Sequence, residues 1–104
     1  MSKVVDLADL ETALADFGTG YLLTVGDQHR VKLVSVSPTF VDDAFTITAP
    51  GPGSLANAAV HPAVTLLFPP LEHPGLSLII DGTAQTLGED IVLHPASAIL
   101  HRPA

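Results

Sequence analysis

Most of the chain alternates between apolar and polar residues in short runs, and only its first part repeats with a helical period. Between residues 7 and 17, apolar side chains recur at spacings of three and four, at Leu7, Leu10, Leu14 and Phe17. Acidic residues lie between them. This spacing predicts an amphipathic helix, ended by the glycines that follow. We expect the helix to close one end of a barrel.

Six runs of apolar and β-branched residues, separated by turn residues, predict strands. The runs cover residues 21–25, 31–36, 44–49, 63–68, 76–87 and 91–94. A second helix is predicted for residues 54–60, after a loop of prolines and glycines, with Ser54 as its N-cap. A last helical turn is predicted from Pro95 to residue 100. These elements indicate a mainly β protein, a small antiparallel barrel with helical plugs.

Two of the predicted strands have irregular patterns. In residues 31–36 the apolar positions change phase at Val34, which predicts a bulge or burial of both faces. In residues 76–87, the central Gly82 predicts a bulge or a close approach by another backbone or a ligand. The proline-containing loop of residues 69–75 is expected to be rigid, exposed and open to contact with a partner.

The composition favours one domain that associates with itself. The chain has 104 residues, of which 47% are hydrophobic and 14% charged, and its mean hydropathy is +0.44. So few charged side chains leave much of a monomer's surface apolar. We therefore expect residues 1–104 to form a single domain within an oligomer.

No apolar run reaches the roughly 18 residues that span a bilayer, and no signal-peptide pattern is present. We therefore expect a soluble, cytoplasmic protein.

Charge and residue content exclude several kinds of function. The absence of cysteine excludes disulfides, thiolate metal sites and a cysteine nucleophile. A net charge of −7 argues against nucleic acid and anionic membranes, which are bound through Lys and Arg. None of the five histidines has the spacing that puts two metal ligands on one helical face, so turn or surface roles are favoured over a metal site. Ser54 also lacks the Gly-x-Ser-x-Gly pattern of hydrolases.

The order of the elements is similar to that of one known family. A glycine-containing turn joins the first two strands, an acidic turn leads to a strand ending in Thr48-Ala49, and Gly53-Ser54 opens a helix that stops at His61-Pro62. The later segment Ile80-Asp81-Gly82-Thr83-Ala84 matches an apolar-x-Gly-x-Ala pattern. Over roughly residues 7–94, the sequence resembles the FMN-binding split-barrel family that includes the pyridoxamine 5′-phosphate oxidases.

The resemblance implies a six-stranded antiparallel split β-barrel with short helices, assembled as a homodimer with two FMN molecules at its interface. It implies that the FMN phosphate is held by Arg30, Lys32 and Ser54. It implies that the isoalloxazine ring is lined by Ser35, Val36, Thr48 and Ala49. A phosphate prefers a helix N-terminus, a hydroxyl donor and a cation, which agrees with the first set. As strand residues, Arg30 and Lys32 also suit a simpler role, that of keeping an edge soluble.

The implied function is flavin-dependent oxidoreduction of a small substrate, with the redox chemistry done by the flavin. No side chain is assigned as acid or base, and neither the substrate nor the electron donor is specified by the sequence. The authentic oxidases close over their substrate with a C-terminal segment rich in Arg and His. No such segment follows Pro95, so we do not expect pyridoxamine phosphate oxidation.

A second departure concerns the phosphate site itself. The family usually has Arg or Lys directly after its serine, where this chain has Leu55 and Ala56. Each lost charge-assisted hydrogen bond costs about 1.5–3 kcal/mol of binding free energy. The second hypothesis is therefore a cofactor-free dimeric barrel that binds or senses a small ligand. Deazaflavin and haem are alternative cofactors, with His61 or His101 as the haem ligand.

Overall fold

The computed structural model describes residues 2–102, which form one curled antiparallel sheet and two short α-helices. The strands are β1 (Ser2–Val5), β2 (Gly20–Val25), β3 (Val31–Val36), β4 (Thr39–Val41), β5 (Ala44–Ile47), β6 (Ala63–Phe68), β7 (Ser77–Leu87) and β8 (Asp90–His101). The helices are α1 (Leu10–Leu14) and α2 (Pro52–Val60), with 3₁₀ turns at Leu7–Asp9 and Asp27–His29. No helix in this part of the chain combines the length and the apolar character needed to cross a bilayer.

The sheet is a barrel with one open seam. Its strand order is β3-β2-β6-β7-β8-β5-β4, and β1 adds to β8. Strands β3 and β4 lie at opposite ends of this order, although only Ser37 and Pro38 separate them in sequence. The sheet must therefore curl to bring its two ends together, and no ladder joins β3 to β4 in the described chain. The predicted mainly β split barrel is confirmed, with eight strands instead of six.

The four phenylalanines form a continuous row through the core. Phe17 after α1 contacts Phe68 at a centroid distance of 6.4 Å, and Phe68 contacts Phe45 at 6.2 Å. Phe45 contacts Phe40 of β4 at 4.7 Å. The row joins the helical end of the barrel to strands β4, β5 and β6, and Leu10 of α1 is fully buried beside it. Aromatic pairs in this distance range contribute about 0.5–1.5 kcal/mol each beyond their area.

The two longest strands, β7 and β8, pair along their whole lengths and share a bulge. Asp81 pairs with Ser97 while Gly82 pairs with Pro95, so Ala96 is the extra residue. A bulge tolerates proline, which has no N–H to give to the ladder. A Cβ at Gly82 would lie 2.5 Å from the His94 carbonyl oxygen. Both features predicted for Gly82, the bulge and the close backbone approach, are confirmed.

Three predicted details are wrong. Residues 95–100 continue β8 instead of forming a helical turn, because the bulge lets the ladder resume on both β7 and β1. Strands β1 and β4 were not predicted, since one is a four-residue run and the other a three-residue run next to Pro38. Finally, β3 pairs with β2 in unbroken register, and Val31 and Leu33 are exposed on its outer face. The phase change at Val34 is therefore neither a bulge nor burial of both faces.

The close approach at Gly82 is a stability constraint. Gly82→Ala should lower the free energy of unfolding by about 1–3 kcal/mol, because the new methyl group overlaps the β8 backbone and strands must move apart. Gly88→Ala is the matched control, since nothing lies within 4 Å of its Cβ position and only its φ of +63° opposes the change. Urea unfolding measures both. Equal losses at the two glycines would contradict the role of the contact.

Candidate functional site

The candidate site lies where β3 meets the start of α2. Lys32 pairs across the ladder with Thr24, which is fully buried, so the two residues share the inner face of the sheet. Lys32 is exposed, and its side chain reaches the first turn of α2. A Cβ built on Gly53 would lie 2.9 Å from Lys32 Cε and 3.2 Å from Nζ. The absence of a side chain at Gly53 therefore leaves room for the ammonium group beside the helix N-terminus.

Helix α2 begins earlier than predicted. Gly51 is its N-cap with φ of +109°, Pro52 is the first helical residue, and Ser54 lies inside the first turn. Ser54 is therefore not the N-cap, and that prediction is wrong. Glycine adopts the positive φ of the cap at little cost, and proline suits the first helical position because it has no N–H to satisfy. The amides of Gly53 and Ser54 are then the first donors without a partner in the helix.

A half-buried polar contact fixes α2 on the sheet. The side-chain amide of Asn57 donates to the Thr24 hydroxyl at 3.1 Å. The Asn57 side chain also fills the space above Gly26, where a Cβ would lie 2.6 Å from its Oδ1. At the end of the helix, the Pro62 carbonyl accepts from the Ala84 amide of β7 at 2.7 Å. These contacts hold the N-terminus of α2 over β3.

The hydroxyl of Ser54 has no partner within the described chain. Ser54 is fully buried, and its Oγ makes no hydrogen bond. A hydroxyl that has lost water without gaining a partner costs about 1–3 kcal/mol, so such a group stands out in a small core.

A corner after β5 lies beside the start of α2. Ala49 has φ of +45°, an unusual value for a residue with a side chain, and its amide donates to Asp90 Oδ1 at 3.0 Å. An open groove of about 340 Å³ lies beside this corner. Its lining residues are Ala49, Gly51, Pro52, Leu55 and Glu89. The groove brings the helix N-terminus together with a carboxylate, which opposes the binding of an anion there.

The remaining predicted site residues are not all gathered by the fold. Val36 is buried in the core, whereas Ser35 is exposed on the outer face opposite Tyr21. Adjacent strand residues point to opposite faces, so these two side chains cannot line one ring together. Thr48 is exposed next to Ala49. Arg30 is exposed at the end of the turn before β3, outside the ladder that positions Lys32.

The histidines do not form a second site. His61 caps the C-terminal end of α2, and His101 ends β8, where its Nδ1 lies 3.1 Å from Ser2 Oγ. These two histidines lie far apart along β7. Pro62, next to His61, accepts from Ala84, whereas His101 pairs with Ser77, and the two β7 residues are seven positions or about 23 Å apart. In the described part of the chain, no group of three His, Cys, Asp or Glu residues is arranged to hold a metal ion.

Comparisons with known proteins place this geometry in context. No protein-family model matches the chain. Two mycobacterial proteins, from Mycobacterium bovis and Mycobacterium tuberculosis, are each 38% identical to it over 119 residues. Each alignment covers 99% of this chain and 84% of the relative, and both relatives are named only as uncharacterized proteins. The chain belongs to the family of these mycobacterial proteins.

Solved structures identify the fold. An FAD-binding protein from Mycobacterium smegmatis superposes with a TM-score of 0.73 over 98% of this chain and 100% of its own, at 14% identity. An FAD-binding protein from Mesorhizobium loti gives 0.71 over 96% of both chains, at 12% identity. A candidate pyridoxamine 5′-phosphate oxidase from Listeria innocua gives 0.70 over 90% and 96%, at 15% identity. The fold is the pyridoxamine 5′-phosphate oxidase-like split barrel, as the resemblance predicted.

The residues at the start of α2 in this split barrel fit a phosphate group in part. Lys32 supplies a cation, and the amides of Gly53 and Ser54 supply donors at a helix N-terminus. The two positions after Ser54 supply no charge, and Glu89 lies on the same groove. The fit is thus made by one cation and two amides. The contacts of Asn57 and Asp90, which position those groups, have no signature in the sequence, because both partners are distant along the chain.

Two buried hydroxyls of this split barrel provide a matched test of the site's structure. Ser54→Ala should leave the free energy of unfolding unchanged or raise it by about 1 kcal/mol, because the hydroxyl has no partner. Thr24→Val should lower it by about 1–2 kcal/mol, because the Asn57 amide then loses its acceptor. Urea unfolding followed by circular dichroism measures both. A loss at Ser54 as large as that at Thr24 would show that the Ser54 hydroxyl is bonded in the folded protein.

Proposed function

We propose that this protein binds a flavin nucleotide at the start of α2 and serves as a flavin-dependent oxidoreductase acting on a small substrate. The observation that carries the proposal is the inward-facing Lys32 set against the first turn of α2. The names of two of the structurally similar proteins describe FAD binding, which supports a flavin-type ligand for this fold. A bound flavin would supply hydride or electron transfer.

In this proposal each element of the site has a separate task. Lys32 neutralises a phosphate oxygen, and the amides of Gly53 and Ser54 donate hydrogen bonds to it. Asp90 keeps the corner at Ala49 in its strained conformation, so that backbone atoms after β5 face the same space. Thr48, exposed next to this corner, is the polar side chain offered to the ring system, whereas Ser35 lies on the opposite face of β3. Arg30 is a secondary cation near the site's rim.

The charge of the site bears on which flavin it takes. The phosphate of FMN carries close to two negative charges at neutral pH, since the second pKa of a phosphate monoester is about 6. Each phosphate of FAD carries one. A single lysine neutralises one singly charged phosphate of FAD more completely than the phosphate of FMN. FAD as a whole carries the same two charges as FMN, so the protein's net charge of −7 does not distinguish the two ligands. FMN, as the sequence resemblance implied, and FAD are therefore the two flavins to compare.

We propose a homodimer formed through the outer face of the sheet. One ladder row crosses five strands on that face with only apolar or aromatic residues: Val4, Ile99, Ile79, Leu67 and Tyr21. At about 4.8 Å between strands, the row is about 19 Å long. The pair Leu23–Leu33 lies next to it, and Leu33 is 56% exposed. Monomeric proteins rarely leave so continuous an apolar face open, whereas a twofold dimer covers it with its own copy.

A second candidate function is a dimeric barrel that has lost its flavin and binds or senses another small ligand. Leu55 and Ala56 in place of the family's usual cations favour it, as does Glu89 beside the helix N-terminus. The two candidates differ in a simple observable. Purified flavoprotein absorbs near 370 and 450 nm or gains these bands in a titration with FMN or FAD, whereas the second candidate gains neither. Deazaflavin and haem are then the next ligands to titrate.

The proposed phosphate contact predicts a ligand-specific effect. Lys32→Ala should weaken FMN binding by roughly one to two decades and leave riboflavin, which has no phosphate, nearly unchanged. Flavin fluorescence quenching measures both affinities. Lys3→Ala is the control, because it removes the same charge from β1, which four strands separate from β3 in the sheet order. Equal losses for FMN and riboflavin would remove Lys32 from the phosphate site.

The proposed dimer predicts a position-specific effect on self-association. Leu33→Glu should weaken the dimer at least about tenfold, because it places a charge against the partner's apolar face. Val60→Glu is the control, since Val60 is 68% exposed at the end of α2, away from the outer face. Sedimentation velocity over a concentration series gives both dissociation constants. A wild-type chain that stays monomeric, or a control that dissociates equally, would contradict the proposed interface.

A further inference from the structure

A cavity lined by α1 and its neighbours lies away from the Lys32 site, at the helical end of the barrel. Its volume is about 570 Å³, within the range of roughly 300–1,000 Å³ typical of small-molecule sites. Three separate segments enclose it: the end of α1 with the residues that follow, the loop between β6 and β7, and the end of β8. We name it the α1 groove.

The walls of the α1 groove are mainly apolar. Phe17 forms its base and is held by its contact with Phe68 in the core. Leu76 and Leu100 are half-buried on the sheet side. Leu71 belongs to the loop and is 70% exposed, yet its Cδ2 lies 3.2 Å from the Cβ position of Gly18. The loop between β6 and β7 therefore folds back on the residues that follow α1. The groove has these residues and the sheet on one side and the loop on the other.

The charged lining of the α1 groove has one sign. Asp16 comes from the α1 side and Glu72 from the loop side, and no Lys, Arg or His lines the cavity. The whole chain adds to this potential, with a net charge of −7. A concave site lined by one sign of charge concentrates ligands of the opposite sign. The same charges repel a phosphorylated flavin, which separates this groove from the site at α2.

We propose that the α1 groove binds a small organic amine with an aromatic or branched apolar body. The apolar part packs against Phe17, Leu76 and Leu100, and the ammonium group lies between the carboxylates of Asp16 and Glu72. An ammonium group donates up to three hydrogen bonds, so it can serve carboxylates from two walls at once. The proposal does not depend on whether a flavin binds at α2.

The test compares three probes that share one ring system and differ in charge: 2-(2-naphthyl)ethylamine, 2-(2-naphthyl)ethanol and 2-naphthylacetate. Calorimetric titration into the full-length protein at neutral pH should show the amine binding at least about tenfold more tightly than the carboxylate, with the alcohol between them. Amide NMR shifts on adding the amine should centre on Phe17, Leu76 and Leu100. Equal affinities, or shifts centred elsewhere, would overturn the proposal.

Charge-matched variants separate the groove from the protein's overall charge. The double variant Asp16→Asn/Glu72→Gln should bind the amine about tenfold more weakly and the alcohol as before. The control Asp42→Asn/Asp43→Asn removes two acids from the β4–β5 turn, outside the α1 groove. All four residues are exposed, so both variants are expected to fold. An equal loss of amine affinity in the control would show that net charge alone produces the preference.

Discussion

The pairing of β7 with β8 is the constraint on which the rest of this barrel depends. Strand β6 pairs with β7, and β5 and β1 pair with β8. The other six strands are therefore attached, directly or through a neighbouring strand, to one of these two. The ladder closes only because Gly82 has no side chain to meet the β8 carbonyl of His94. The bulge at the same place bends β8 and lets its two halves serve different neighbours, β5 before Pro95 and β1 after it.

Strand β3 connects the candidate site to the proposed interface. The first half of β3 reverses the polarity of an ordinary edge strand, with Lys32 on the inner face and Val31 and Leu33 exposed on the outer face. In a monomer, apolar residues on the inner face and polar residues on the outer face would be the more stable arrangement. The reversal makes sense if both surfaces are used, the inner one by an anion at the start of α2 and the outer one by a second copy. One six-residue strand would then link cofactor binding to assembly.

The sequence-based prediction succeeded where a local pattern decides the structure. Strands β3 and β6 begin and end where their β-branched runs do, and α2 ends at Val60 because His61-Pro62 follows. It failed where the deciding partner is distant: β1 exists because Ser2–Val5 meets the far end of β8. The phase change at Val34 was detected and interpreted as a bulge or as burial of both faces, and neither interpretation was right. Only the pairing of Lys32 with buried Thr24 shows that the strand alternates regularly and that Lys32 is a polar residue on its inner face.

The same limit applied to the candidate site. Lys32 and Ser54 were implied by the family resemblance and agree with what a phosphate requires, and the fold brings both to the first turn of α2. The capping role predicted for Ser54 was wrong, because Gly51, with its positive φ, is the N-cap and the helix starts at Pro52, before Ser54. Thr24, Asn57 and Asp90 were missed, since ordinary polar residues acquire their roles only from partners 33 or 41 positions away.

The distribution of charge gives this small barrel two different kinds of surface. Four basic residues serve a chain with eleven acids, and the fold places one of the four, Lys32, against a helix N-terminus. The α1 groove, in contrast, has acids on both walls and no cation. Because solvent and salt screen exposed charges beyond about 10 Å, the nearest charges dominate at each surface and the total charge adds a weaker background. A protein with a net charge of −7 can therefore offer a local site to an anion at α2 while the groove at the other helix selects cations.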